Sequence, residues 1–118
     1  MGGQTVLVLG GGIGGVVAAN ALRRRLDRRH RIVVVDREPT FALAASFLWV
    51  MTGARRPAQI STDRRRLRRA GIEVLQADVL EIDPTHRTVK TSAGEVSFDR
   101  LVVALGAELA PSTLPGFA

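Results

Sequence analysis

Six residues near the amino terminus, GGGIGG at positions 10–15, have the composition and spacing of a phosphate-binding turn. In the pattern G-x-G-x-x-G, Gly10 makes a tight turn out of a strand, Gly12 lets the backbone approach a pyrophosphate, and Gly15 lets a helix pack close to the strand. The anion would face free N–H groups at the positive end of the helix dipole. We therefore predict anion binding here, with contacts from Gly10, Gly12, Ile13, Gly14 and Gly15.

The segments on either side of this turn follow the order of a nucleotide-binding unit. Residues Thr5 to Leu9 are a short apolar run, which is typical of a strand buried on both faces. From Ile13 to Leu26 apolar residues recur four apart, which predicts a helix. Its predicted apolar face consists of Ile13, Val17, Ala18, Ala21, Leu22 and Leu26. Ile32 to Val35 is a second buried strand. Strand, helix and strand at this spacing predict a βαβ unit with a right-handed crossover.

An acidic residue, Asp36, ends the second predicted strand, 21 residues after Gly15. A carboxylate at this place accepts hydrogen bonds from both hydroxyls of an adenosine ribose and repels a 2′-phosphate, which disfavours NADP. Arg37 follows it directly and is included among the candidate cofactor contacts. The alternative to a nucleotide-binding site is a glycine-rich surface turn with an incidental aspartate. The turn and Asp36 by themselves fit NAD and FAD equally.

The downstream segments predict the rest of the fold. Ile72 to Gln76 and Leu101 to Leu105 are further buried strands, and the alternating segments between residues 79 and 98 predict an antiparallel meander. Residues 41–53 are interpreted as a loop and a short helix. Ser61 or Thr62 is predicted to cap a helix that ends near Ala70, with Gly71 after it. The predicted fold is α/β: a Rossmann-like domain over residues 1–118, with a central parallel sheet, flanking helices and an extended tail or linker at 107–118.

Two arginine clusters carry much of the net charge of +6. Neither cluster contains aromatic side chains that would stack on bases, so we interpret both as solvated helix faces and predict no nucleic-acid partner. The clusters consist of Arg23, Arg24, Arg25, Arg28, Arg29 and Arg31, and of Arg64, Arg65, Arg66, Arg68 and Arg69.

Several kinds of chemistry have no candidate residues in the sequence. The chain contains no cysteine, which excludes a thiol nucleophile, a disulfide and a cysteine-based zinc site within these residues. We predict no metal site and no catalytic residue. The chain has no apolar run of membrane-spanning length and no signal-peptide pattern, so a cytoplasmic location is expected. Leu48 and Met51 are expected in the core, and Trp49 either near a flavin or filling a gap under its loop.

The combined pattern resembles the pyridine nucleotide–disulfide oxidoreductase superfamily over nearly the whole chain. The opening VLVLGGGIGG with Asp36 resembles its FAD fingerprint, DRLVVALG at 99–106 resembles its second motif, and Leu114-Pro115-Gly116 resembles the segment after it. The resemblance implies FAD as cofactor, with NAD as the alternative. It adds Ser46, Val79, Ala104 and Gly106 to the candidate cofactor contacts.

Within the superfamily the sequence is most similar to sulfide:quinone oxidoreductases and type II NADH dehydrogenases. The C-x₄-C pair of the disulfide-reductase branch has no counterpart in FALAASFLWV, which argues against that activity. The resemblance implies a longer oxidoreductase, of which this chain is the inactive FAD-binding front part. Its expected partners are FAD and the remainder of the enzyme, with homodimerisation possible and any membrane contact made by other parts. An NAD-linked dehydrogenase domain and a non-catalytic nucleotide-binding or dimerising module stay open as alternatives.

Overall fold

The computed structural model describes residues 2–42, 44–108 and 110–116. A four-stranded parallel sheet forms its centre, in the order β5 (Glu73–Gln76), β2 (Arg31–Asp36), β1 (Thr5–Leu9) and β9 (Arg100–Val103). The predicted α/β fold with a parallel sheet is therefore confirmed.

An antiparallel meander covers one side of the central sheet. Its strands are β6 (Val79–Asp83), β7 (Thr88–Thr91) and β8 (Gly94–Ser97), in the order β6-β7-β8. Val89 of β7 and Phe98, just after β8, are buried against Leu7 and Leu9 of β1. The predicted meander is thus present and covers the cluster of buried residues on this face. It is needed because β1 and β2 are apolar on both faces and require a covering layer on each.

Helix α1 (Ile13–Arg25) covers the opposite side of the sheet with only part of the predicted face. Leu22, and Leu26 just after the helix, pack against the core as predicted. Ile13 and Val17 were assigned to the apolar face, yet they are 56% and 61% exposed. The buried positions of α1 are Gly15, Ala19 and Arg23, which also recur four apart. Gly15 and Ala19 determine the contact because they let the helix axis approach the strands, whereas larger side chains at these two positions would hold it away.

Arg23 contradicts the interpretation of its cluster as a solvated face, since only 9% of it is exposed. Its Nη1 donates to the carbonyl of His30 at 3.0 Å and to that of Gly71 at 3.3 Å, and its Nη2 donates to the carbonyl of Asp27 at 2.7 Å. These acceptors are main-chain groups at the end of α1, before β2 and before β5. Arg23 therefore ties together three chain segments, and its charge offsets the negative end of the α1 dipole.

The segment between β2 and β5 differs most from the prediction. Residues 41–53 begin in a strand, β3, which pairs antiparallel with β4; neither strand was predicted. Asp63, and not Ser61 or Thr62, accepts a hydrogen bond from the main chain and caps the next helix, which is a 3₁₀ helix. Gly71 follows it in the left-handed conformation at φ 86°, as predicted. The elements are β3 (Thr40–Ala42), η1 (Ala44–Ser46), α2 (Phe47–Met51), α3 (Pro57–Ile60), β4 (Ser61–Asp63) and η2 (Arg64–Ala70).

The short helix α2 exposes most of its apolar side chains. Leu48 and Met51, which were expected in the core, are 62% and 77% exposed, and Trp49 lies beneath Arg55 rather than under a loop. A five-residue helix of apolar residues has no polar face to direct it, so periodicity gave no information on its orientation. None of the helices that the structure describes has the length and apolarity needed to cross a bilayer.

The predicted tail at 107–118 lies partly outside the described residues, which omit Leu109, Phe117 and Ala118. Within it, Pro111–Thr113 forms a 3₁₀ turn, η3. The tail as a separate linker stays a prediction.

Substitution of Gly15 by alanine is expected to destabilise the fold by about 1–3 kcal/mol, the usual cost of overpacking. A Cβ on Gly15 would overlap the carbonyl oxygen of Gly10, which is main chain and cannot rotate away. Gly14→Ala is the matched control, because its Cβ would lie at an ordinary 3.7 Å from Ala104. Urea denaturation measures both variants. Equal stability of the two would contradict the close approach of α1 to β1.

Candidate functional site

The carboxyl ends of β1, β2 and β9 meet at one edge of the central sheet, where open α/β sheets bind their ligands. A cavity of about 630 Å³ lies at this edge. Its volume falls within the roughly 300–1,000 Å³ that is usual for small-molecule sites. The lining residues come from the start of α1, the end of β2, the start of β6 and the segment after β9, together with Phe41 of β3 and Arg64 of η2.

The turn between β1 and α1 forms the floor of this cavity. Gly10 has φ 101°, and its N–H donates to the carbonyl of Val35 at 2.8 Å. A Cβ on Gly10 would overlap the carbonyl oxygen of Ala104, just as one on Gly15 would overlap that of Gly10. These two glycines do not line the cavity but bring β1, α1 and the end of β9 together.

Gly12 differs from Gly10 and Gly15, since the chain itself does not require a glycine there. Its φ of −82° and ψ of −160° suit any residue, and a Cβ would meet no atom within 4 Å. Gly12 lines the cavity at the start of α1, whose first turn contains no acidic residue. The first N–H groups of a helix have no acceptor within it. The space at Gly12 therefore suits an anion that comes closer to the main chain than a side chain would allow.

Asp36 lies at the end of β2 with 18% of its side chain exposed. Its Oδ2 accepts from the N–H of Gly11 at 2.7 Å, and its Oδ1 accepts from the N–H of Glu38 at 2.8 Å. The carboxylate thus links the glycine-rich turn to the loop after β2. Each carboxylate oxygen has a further lone pair, so Asp36 can still accept hydrogen bonds from a ligand.

Arg64 belongs to the same site and was missed in the sequence, where it was grouped with the solvated arginines. Only 8% of it is exposed, and it lines the cavity. Its Nη1 lies 3.5 Å from Oδ1 of Asp36. Nothing local distinguishes it from the four other arginines of η2, because the contacts that bury it come from residues 24 to 53 positions away.

The remaining candidate contacts fall into two groups. Arg37, Val79, Ala104 and Gly106 line the cavity together with Gly12, Ile13, Gly14 and Asp36. Arg37, directly after β2, forms an ion pair with Glu108 in the segment that follows β9. Ser46 lies half-buried in η1 and is not among the cavity-lining residues. The structure thus brings eight of the predicted positions to one cavity, and the role of each stays a prediction.

Together, the parallel sheet, the covering meander and the cavity at the glycine-rich turn define a dinucleotide-binding domain of the flavoprotein type. The model of the pyridine nucleotide-disulphide oxidoreductase family matches residues 4–118. The chain belongs to this family, as the sequence predicted.

Relatives of known name are similar over most of this chain. It is 32% identical over 107 residues to the mitochondrial sulfide:quinone oxidoreductase of Mus musculus. This match covers 88% of this chain and 23% of the relative. It is 33% identical over 128 residues to an NADH dehydrogenase-like protein of Mycobacterium tuberculosis, which covers 96% of this chain and 29% of the relative. The chain therefore spans about a quarter of the length of these relatives.

Solved structures share the same fold. The sulfide:quinone oxidoreductase of Aquifex aeolicus superposes with a TM-score of 0.84 and 31% identity, covering 91% of this chain and 25% of that one. The NAD-dependent persulfide reductase of A. fulgidus superposes with a TM-score of 0.82 and 28% identity, covering 92% and 22%. The Rossmann-like fold predicted from the sequence is confirmed.

Asp63 caps the 3₁₀ helix η2, which begins at Arg64, and this cap should be sensitive to acid. The side chain and the main-chain N–H of Arg65 donate to Asp63 and lower the pKa of its carboxyl from 3.8 to about 2. Because the pKa is lowered in the folded state, this cap stabilises the fold fully above pH 3.8, and its contribution is lost as the pH falls toward 2. We expect carboxyl NMR to show Asp63 titrating near 2. In Arg65→Ala the pKa should rise toward the usual value; an unchanged pKa would contradict this pairing.

Proposed function

We propose that this domain binds the ADP half of FAD in a flavin-dependent oxidoreductase. The observation that carries the proposal is Gly12, a glycine at the wall of the cavity that neither backbone conformation nor packing demands. A ligand that lies against the main chain explains the missing side chain. The pyrophosphate fits this description, since it is anionic and Gly12 is at the positive end of α1.

The other residues of the cavity fit the rest of an adenosine diphosphate. We assign the ribose hydroxyls to Asp36, whose carboxylate is held at the end of β2. We assign the adenine to the start of β6, where Val79 lines the cavity, as the half-buried Phe41 also does. Ala104 and Gly106 face the cavity from the segment after β9 and are assigned to the path toward the flavin. The flavin itself supplies the redox chemistry; these residues bind and orient it.

For the whole protein we propose electron transfer from sulfide or NADH to a quinone. The similarity to a sulfide:quinone oxidoreductase and to an NADH dehydrogenase-like protein supports this reaction class. We assign the binding of the donor and the acceptor to those parts of the relatives that the match to this chain does not cover, which make up about three quarters of their length. The cytoplasmic location and the homodimer expected from the sequence stay predictions.

The purified chain should bind ADP and FAD, and Gly12→Val should abolish this binding without loss of stability. The valine side chain would fill the space assigned to the pyrophosphate while meeting no protein atom within 4 Å of its Cβ. Calorimetric titration with ADP and FAD, together with a thermal melt, measures both properties. Gly2→Val, where a Cβ also meets no atom within 4 Å, is the matched control outside the cavity.

Retained ADP affinity in Gly12→Val would place the anion elsewhere. A wild-type chain that binds NAD but neither FAD nor ADP would instead favour the dehydrogenase alternative. A chain that binds none of these nucleotides, also at the full length of its relatives, would overturn the proposed function.

Asp36→Asn should weaken ADP binding by about 1.5–3 kcal/mol, the contribution of a hydrogen bond to a charged acceptor. The amide retains the shape of the side chain but has one acceptor oxygen in place of two. Calorimetry of ADP and of inorganic pyrophosphate separates the two ends of the ligand: we expect ADP binding to weaken and pyrophosphate binding to persist. Equal affinity of wild type and variant for ADP would show that the ribose lies away from Asp36.

A further inference from the structure

Arg64 contacts the two parts of the cavity that bind the two ends of the proposed ligand. Its Nε donates to the carbonyl of Gly11, in the glycine-rich turn, at 2.7 Å. Its Nη1 donates to the carbonyls of Glu38, at 2.6 Å, and of Thr40. Both acceptors of Nη1 lie in the chain after β2, next to Asp36. One guanidinium thus links the turn that faces the pyrophosphate to the loop that carries the ribose-binding carboxylate.

Asp36, which carries the opposite charge, bridges the same two segments. Its carboxylate accepts from the N–H groups of Gly11 and Glu38, the residues whose carbonyls accept from Arg64. Gly11 and Glu38 therefore each bind one member of the pair through the N–H and the other through the carbonyl. This closed ring of hydrogen bonds fixes the carboxylate more firmly than the 3.5 Å ion pair alone would do.

The position of Arg64 is itself determined by main-chain contacts. Its N–H donates to the carbonyl of Pro39 at 2.9 Å, directly after the strand β4 that pairs with β3. Its guanidinium carbon lies 5.8 Å from the centre of the Phe41 ring, within the range of a cation–π contact. A side chain held at both ends has few alternative rotamers, so it can hold its partners in turn.

We propose that Arg64 is the positioning residue that gives this site its selectivity for a ribose with a free 2′-hydroxyl. The inference rests on the proposed function. Without the guanidinium, the ring loses its bonds to the carbonyls of Gly11 and Glu38, and only the carboxylate of Asp36 still links the glycine-rich turn to the loop after β2. Asp36 then no longer meets the ribose in a fixed geometry, and the discrimination between ADP and 2′-deoxy-ADP is lost.

The test compares the affinities of ADP and 2′-deoxy-ADP by calorimetry in four proteins: wild type, Asp36→Asn, Arg64→Met and the double variant. We expect wild type to bind ADP at least about tenfold more tightly than 2′-deoxy-ADP, as one hydrogen bond to a charged group implies. The ratio of the affinity for ADP to that for 2′-deoxy-ADP should fall toward one in each single variant and should fall no further in the double variant. Arg66→Met is the matched control, since this exposed arginine lies on the same 3₁₀ helix; it should retain the wild-type ratio.

If Arg64 has a purely structural role, its replacement weakens the binding of both nucleotides equally and leaves the ratio of the two affinities unchanged. That outcome would overturn the proposal. Arg64→Lys provides the second variant if Arg64→Met fails to fold. A lysine has the charge but only one nitrogen, which cannot contact Gly11 and Glu38 together as the forked guanidinium does. We expect Arg64→Lys to lose the selectivity as well; full rescue by lysine would also overturn the proposal.

A measurement without nucleotide separates this inference from the proposed function. Amide hydrogen exchange in Arg64→Lys should become faster at Gly11 and Glu38, whose N–H groups bind Asp36. It should stay unchanged at Gly10, whose N–H binds Val35. Unchanged exchange at all three amides would overturn the positioning role even if the nucleotide binds. Faster exchange in a chain that binds no nucleotide would support the positioning of Asp36 while the proposed function fails.

Discussion

The close approach of three main-chain segments at the β1–α1 turn is the constraint on which the rest of this structure depends. The Cα of Gly15 lies against the carbonyl of Gly10, and that of Gly10 against the carbonyl of Ala104. No side chain, not even a methyl group, fits in either place. Because β1, α1 and β9 converge here, the start of α1 and the segment after β9 both line the cavity at the carboxyl edge of the sheet.

The polar residues of the site have a different physical role, because they hold loops that have little apolar packing. The chain after β2 has mostly exposed residues, and β3 and β4 form a sheet of only two strands. A two-stranded sheet has marginal stability by itself. Arg64 and Asp36 supply the attachment through hydrogen bonds to main-chain groups of the glycine-rich turn and of the chain after β2. Burying one charge without the other would be costly, so the pair acts as a unit.

Arg23 shows the same device at the other end of the domain. It is buried beside Ala19 on α1, and it binds carbonyls at the end of α1, before β2 and before β5. A guanidinium has five donors in a rigid plane, which suits it to collecting several carbonyls from different segments. Two arginines of one charge-rich chain thus serve as internal connectors, while their sequence neighbours, such as Arg24 and Arg66, are exposed.

The sequence by itself determined the βαβ unit, the meander, the glycine-rich turn and the family. These features depend on local spacing: apolar runs, the glycines at 10, 12 and 15, and the acid that ends β2. It also placed eight of its candidate contacts at one cavity, because parallel strands that end in glycine or acid bring those ends to one edge of the sheet.

Only the tertiary structure decided which arginines are buried, where η2 begins and which face of α1 meets the sheet. Arg23 and Arg64 look like their neighbours because the carbonyls that bury them are distant in the chain or belong to turns without a sequence signature. Ile13 and Val17 have the hydrophobicity of a core face, but the small Gly15 and Ala19 permit the closer packing and take that place. Local patterns record hydrophobicity and spacing; the depth of a contact and the partners of a charge are set by segments that meet only when the chain folds.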